Sequence, residues 1–184
     1  NHRLNVVCNW LLDQLIRQAR LLGPGRIWAD QTMQAWLWQT QELDLHSYLA
    51  NDDLRTGYHF QRWREEAPEP LADLCDRFLN RRLFKALDVS QMDASTQLEL
   101  LAKAQTYAAA AGLDPEMCCG LRHHQIRGYH PYRGGLRLWD GQRLQALEQC
   151  SPLVNSLAIP AASAWLIHPG AITTELHVAI ASIR

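Results

Sequence analysis

The strongest constraint on this chain lies at its start. Leu4, Val7, Leu11, Leu15, Ala19 and Leu22 recur at spacings of three and four, the period of one helical face. That stripe predicts a single amphipathic helix over 3–22. Gly23-Pro24-Gly25 ends it, because glycine supplies a stop and proline cannot continue the hydrogen-bond ladder. Asp30 or Thr32 then offers a cap for a second helix through about Gln41, and Leu45, Tyr48 and Leu49 suggest a short helical stretch. Asn51-Asp52-Asp53 reads as another helix start, since carboxylates suit the positive end of the macrodipole. That helix runs through Tyr58 and Trp63 to about Glu66. After Ala67-Pro68-Glu69-Pro70, with Pro70 suited to a first turn, Leu71, Leu74, Cys75, Phe78 and Leu79 form a further apolar stripe. Asp73, Asp76, Arg77, Arg81 and Arg82 fall on its other side.

The texture changes around Asp88–Ser90. A helix capped by Ser95 is expected to Ala111, with Leu98, Leu101, Ala104, Tyr107 and Ala108 inward and Gly112 as its stop. Helical periodicity fades beyond it. Asp140-Gly141 between two apolar runs signals a short hairpin, Ser151-Pro152 a short helix over 152–158, and Ala164–Ile167 a buried strand. The tail from Thr173 suits either a strand or a helix. The fold class is therefore α+β: a mainly helical part, 1–89, and a small mixed α/β part, 90–184.

Composition narrows the function classes. With 184 residues, 47% hydrophobic and 20% charged, this is ordinary globular material for one domain or two small ones. Eighteen Lys+Arg against nineteen Asp+Glu give a net charge of -1. A protein gripping nucleic acid over its whole surface would be strongly basic, so that class fits poorly. No apolar run approaches the ~20 residues that span a bilayer, and no secretory signal opens the chain. Five cysteines in irregular positions point to buried thiols in a reducing cytoplasm. The seven tryptophans suit core filling and interface. Position 1 is Asn and a helix begins almost at once, so the chain is expected to be part of something longer.

Four groupings could carry chemistry. Cys118-Cys119 with His123, His124 and His130 are zinc-ligand types, but no structural zinc spacing joins them, and ordinary strand and turn residues are the simpler reading. Asp52-Asp53 with His46 and His59 could divide into an acid and a base, although a helix start explains the two acids equally well. Arg81 and Lys85, four apart, would share a face if the preceding helix continued; a guanidinium fork and an ammonium can clamp a triphosphate. Their alternative is a solvated basic helix end. His2-Arg3 places cations at a helix start, against the dipole, as though a phosphate were bound there. No Ser-His-Asp order and no glycine-rich phosphate loop stands out.

Several segments together resemble a known family. Asn1-His2-Arg3 before a long amphipathic helix, Tyr48-Leu49-Ala50-Asn51-Asp52-Asp53, and Leu74-Cys75-Asp76-Arg77-Phe78-Leu79-Asn80-Arg81-Arg82-Leu83-Phe84-Lys85 look like the C-terminal half of HD-superfamily phosphohydrolases, relatives of the deoxynucleoside triphosphate triphosphohydrolases. Gly112-Leu113-Asp114, Tyr129-His130-Pro131-Tyr132, Leu138-Trp139-Asp140-Gly141 and Ser151-Pro152-Leu153-Val154 extend the resemblance over at least 1–169. It implies a hydrolase whose divalent metal is held by a His…His-Asp…Asp set upstream of this segment, which then supplies no catalytic residue, no metal ligand and no cofactor of its own. It also implies a regulatory (deoxy)nucleotide at a homo-oligomer interface, contacted by His2, Arg3, Arg81 and Lys85. The rival expectation is a non-catalytic regulatory or oligomerisation module that binds nucleotide or a protein partner.

Overall fold

The structure is a computed structural model and describes residues 3–126, 135–158 and 161–182. Its first long element, α1 (Arg3–Leu22), is the spine: Val6, Val7, Leu11, Leu15 and Ala19 are buried along one face, as the stripe required, while Leu4 stays half exposed at its start. Gly23 turns the chain in the left-handed region, at φ 80°. Asp30 caps α2 (Gln31–Trp38) by accepting the Met33 amide at 2.8 Å. That helix stops at Trp38, before the expected Gln41, because Gln39 is already extended. The short α3 (Leu45–Leu49) and α4 (Asp53–Glu66) follow, each started by an aspartate that accepts a backbone N–H. Pro70 stands just outside α5 (Leu71–Leu79), whose Leu71, Leu74 and Cys75 are fully buried against α1 and α4. Burial pushes the Cys75 thiol up to about 12.

The helix does not continue through Lys85. Residues 85–88 form strand β1 (Lys85–Asp88) instead. Next come α6 (Ala94–Ala110), α7 (Pro115–Cys118), β2 (Gly120–Ile126), the hairpin β3 (Arg137–Trp139) and β4 (Leu144–Ala146), α8 (Leu147–Cys150), α9 (Pro152–Ala158) and β5 (Ala161–His168). A 3-10 turn, Gly170–Ile172, leads into α10 (Thr173–Ala181), which settles the tail as a helix. Asp93, not Ser95, caps α6: its carboxylate accepts the Thr96 amide at 2.9 Å, and Ser95 donates its hydroxyl to the same side chain. The inward face of α6 is accordingly Gln97, Leu100, Ala104 and Ala108, while Leu98 is exposed.

The architecture is α+β. A three-stranded antiparallel sheet has the order β1-β5-β2, so β5 is flanked on both sides. Both faces of the strand are covered as well, which explains the unbroken apolar run Ala164–Ile167: Leu166 and Ile167, on opposite faces, are fully buried. The second sheet is the β3–β4 hairpin, turned by Asp140, which accepts the Gln142 and Arg143 amides at 2.8 Å. One buried cluster runs from α1 through α5 to the sheet and α10. Among the described residues, no helix is long and apolar enough to cross a membrane.

The contact between α1 and β2 is close. A Cβ on Gly120 would lie 2.0 Å from Cη2 of Trp10, so only glycine lets the strand meet the indole. The Arg122 guanidinium covers the same ring at 5.0 Å and pairs with Asp13 on α1. Gly120→Ala is expected to lower stability by about 1–3 kcal/mol, the usual cost of overpacking. A urea unfolding midpoint shifted down by that amount checks it.

Candidate functional site

How α5 ends determines where the cations of the 80–85 segment go. The Asn80 amide makes the last i→i−4 bond, to the Asp76 carbonyl at 2.9 Å. The Arg82 amide then donates to the Arg77 carbonyl at 2.9 Å, and the Arg81 amide to that of Phe78 at 3.5 Å. These two bonds are the Schellman pattern, which needs a left-handed residue at its centre. Glycine normally fills that place; here it is Arg81, at φ 54°. The conformation costs a residue with a Cβ about 1 kcal/mol.

The turn divides the arginines into two sets. Arg77 pairs with Asp73 at 2.5 Å, and Arg82 pairs with both Asp73 and Asp76. The Arg82 hydrogen bond holds the Asp76 carboxyl below the usual range. Arg81 takes no part in this network and lines a cavity of about 470 Å³. Lys85, the first residue of β1, lines the same cavity, as does Arg3 at the start of α1. Thus the helical face expected to join Arg81 and Lys85 does not exist, yet turn and strand bring them to one site. No ion pair engages Arg3, Arg81 or Lys85 among the described residues, and no carboxylate lines the cavity. His2 lies outside the described residues.

The far wall was not anticipated from sequence. It is made by His168, Thr173 and His177. The antiparallel register sets His168 opposite Lys85. Thr173 and His177 are four apart on α10 and so share a face. Leaving the tail undecided between strand and helix hid this spacing. His168 is only 3% exposed, with Nδ1 3.0 Å from the Pro169 carbonyl. Burial, and after it the nearby His177 and Lys85, lower its pKa below the ordinary imidazole value.

The other groupings are structural. His59, fully buried, donates Nδ1–H to the Arg55 carbonyl at 2.8 Å and accepts the Asp30 amide at Nε2, 3.1 Å away, while Asp52 caps α4. The Cys118 and Cys119 sulfurs lie 3.8 Å apart and buried; contact with Cys118 and burial raise the Cys119 thiol. His123 donates to Gln97 Oε1 at 2.9 Å, and the Gln97 amide in turn donates to the Val89 and Met92 carbonyls. His130 lies outside the described residues. Among the described residues, no three His, Cys, Asp or Glu side chains gather as a metal donor set. The arrangement at the 470 Å³ cavity is suited to capture of a polyvalent anion.

Comparison with known proteins extends this description. No protein-family model matches the chain. YwfO of Bacillus subtilis (strain 168) is 33% identical over 161 residues, which is 80% of this chain and 36% of that protein. A phosphohydrolase (BT4208) from Bacteroides thetaiotaomicron VPI-5482, known from its crystal structure, matches with a TM-score of 0.67 at 13% identity, covering 91% of this chain and 45% of that one. The chain thus has the fold of part of a phosphohydrolase structure, and spans less than half the length of either relative.

Two outcomes follow. Arg81→Gly removes the left-handed strain and is expected to raise stability by about 1 kcal/mol while weakening anion binding, an opposition that denaturant titration and calorimetry will show together. His168 binds its proton less readily folded than unfolded. Its contribution to stability is therefore complete above its unfolded pKa, near 6.5, and declines as the pH falls below that value. His168→Gln should flatten this acid-side slope in a series of unfolding midpoints between pH 5 and 7.5.

Proposed function

We propose that this chain is the C-terminal region of a metal-dependent HD phosphohydrolase acting on (deoxy)nucleoside triphosphates, and that it contributes a nucleotide effector site and an oligomer interface. One observation carries the reading. Arg3, Arg81 and Lys85 come from a helix start, a helix-terminal turn and a strand, and they converge on one cavity that no carboxylate among the described residues lines. All three side chains are exposed, so solvent screens their mutual repulsion, and a multivalent anion bound among them would meet three donors at once. A triphosphate matches the need: guanidinium forks take its oxygens in pairs and the ammonium adds a point charge. Leu4, Val7, Leu83 and Phe84 give the same cavity an apolar wall against which a base or sugar can rest.

The relatives support the hydrolase half of this reading at the level of fold, since the solved one is a phosphohydrolase. Metal and hydrolytic chemistry would belong to the portion of the whole protein beyond this chain. The interface is supported by the apolar residues of the hairpin and α9: Leu138, Trp139, Leu144 and Leu153 are all exposed, Trp139 at 64%. A second copy of the protein is the occupant this reading assigns to them.

The Arg81→Ala/Lys85→Ala double variant of the full-length protein tests the proposal. Each charge-assisted contact to phosphate contributes about 1.5–3 kcal/mol, so nucleotide binding should weaken by at least about 100-fold, and nucleotide-dependent assembly or activation should be lost with it. Fluorescent nucleotide titration and sedimentation velocity read the two effects. An unchanged nucleotide response overturns the effector assignment.

A further inference from the structure

The far wall of the cavity carries an inference that rests on the anion site just described and goes beyond it. We infer that His168 and His177 are proton-dependent ligands of the bound polyphosphate, so that anion binding takes up protons and tightens as the medium becomes more acidic. His168 ends the central strand, opposite Lys85 in register, and His177 stands one helical turn beyond Thr173 on α10; all four line the cavity. Two imidazoles therefore share a site with Arg3, Arg81 and Lys85.

The charged neighbours of His168 decide its state. From β1 it meets Lys85, from α10 His177, and across the cavity stand Arg3 and Arg81. On the other flank, β2 begins at Gly120 and brings no charge to this end of β5. Glu175 is the acid of the first turn of α10, but it does not line the cavity. On α6, which packs against α10, Glu99 and Lys103 are already paired with each other at 2.8 Å. Without an anion, every ionisable group that lines the cavity alongside His168 among the described residues is cationic or can become so, and burial adds to the penalty on its charged form. A polyphosphate reverses the sign of that local field. It supplies negative oxygens to imidazoles that carry a positive charge, and donors at both ring nitrogens, only when protonated. Linkage then requires the converse: whatever raises the proton affinity of the imidazoles on anion binding raises anion affinity by the same factor on protonation.

Thr173 cannot substitute for this effect. Its hydroxyl already donates to the Gly170 carbonyl at 2.9 Å, and it does not titrate. The permanent cations hold the anion at any pH near neutrality, while the histidines add to its binding as the medium becomes more acidic.

Calorimetric titration of the full-length protein with inorganic tripolyphosphate at pH 6 and pH 8, in two buffers of different ionisation enthalpy, tests the inference. The His168→Gln/His177→Gln double variant provides the reference, so that titration of the probe itself cancels. Relative to that variant, the wild type should gain about tenfold in affinity between pH 8 and pH 6, since one unit of pKa shift on one imidazole is a factor of ten, and it should show net proton uptake on binding. His168 is buried, so the exposed His177→Gln change alone serves as a second variant that leaves the core intact and should remove part of the gain. Equal pH dependence in wild type and variants, with binding retained, overturns the inference and leaves the anion site standing. Absence of tripolyphosphate binding by the wild type at both pH values overturns the anion site and the inference with it.

Discussion

The turn that ends α5 is the feature on which the site depends. Left-handed backbone at Arg81 is what allows the chain to leave the helix at Leu79 and enter β1 at Lys85. It also separates neighbouring arginines of the same chemistry. Arg82 returns to Asp73 and Asp76 on the helix, where its charge is neutralised, while Arg81 lines the cavity, where no acid among the described residues pairs with it. A glycine there would make the same turn with less strain but bring no guanidinium. The strain and the charge thus occur in one residue, and strained backbone is commonly retained where it positions a functional group.

The sheet turns this local event into a site. With the order β1-β5-β2, the strand that follows the turn lies against the strand that precedes α10, so residues near positions 3, 83 and 170 come together. The register Lys85↔His168 sets which side chains meet. A slip by one residue would send the side chain of His168 to the other face and take it out of the cavity. Leu166 and Ile167 point to opposite faces and both are fully buried, so the register rests on how each fits the packing on its own side of the sheet. The core and the cavity are therefore specified by one pattern: the apolar residues of β5 hold the strand, and the polar residue at its end faces the site.

Much of this fold was legible in the sequence. The span of α1, the Asp52 start of α4, the Asp140-Gly141 hairpin, the 152–158 helix and the buried 164–167 strand all followed from periodicity, capping and turn chemistry. Arg3, Arg81 and Lys85 were picked out by residue type and by resemblance, but the reason given for pairing the last two was a helix that ends six residues too early. The stop went unread because the residue taking the left-handed position is neither glycine nor asparagine, the only types that announce it. β1 went unread because four residues are too few for alternation to stand out against the preceding helical stripe. His168 and His177 line the same cavity as Lys85 and Arg81 from distant parts of the chain, and nothing local marks such a meeting before the topology is known.

The net charge of -1 argued against a partner that coats the surface, and it says nothing against a polyanion held at one point. What matters there is how the charges are sorted. An exposed cation on a free side chain gains little from a single anion, because solvent screens the attraction and ordering the side chain costs entropy. Here the backbone anchors are fixed before any ligand arrives: Lys85 by the β1–β5 ladder, Arg81 by its two helix-terminal hydrogen bonds, Arg3 by the first turn of α1. Ordering the ends of three side chains against one multivalent ligand costs less than recruiting three independent cations, and the gain is shared over all of them. The acids that would have competed are occupied elsewhere, Asp73 and Asp76 with Arg77 and Arg82, Asp13 with Arg122, and Glu99 with Lys103. A nearly neutral chain thereby presents a strongly cationic cavity, and it does so through where its carboxylates are bound as much as through where its cations point.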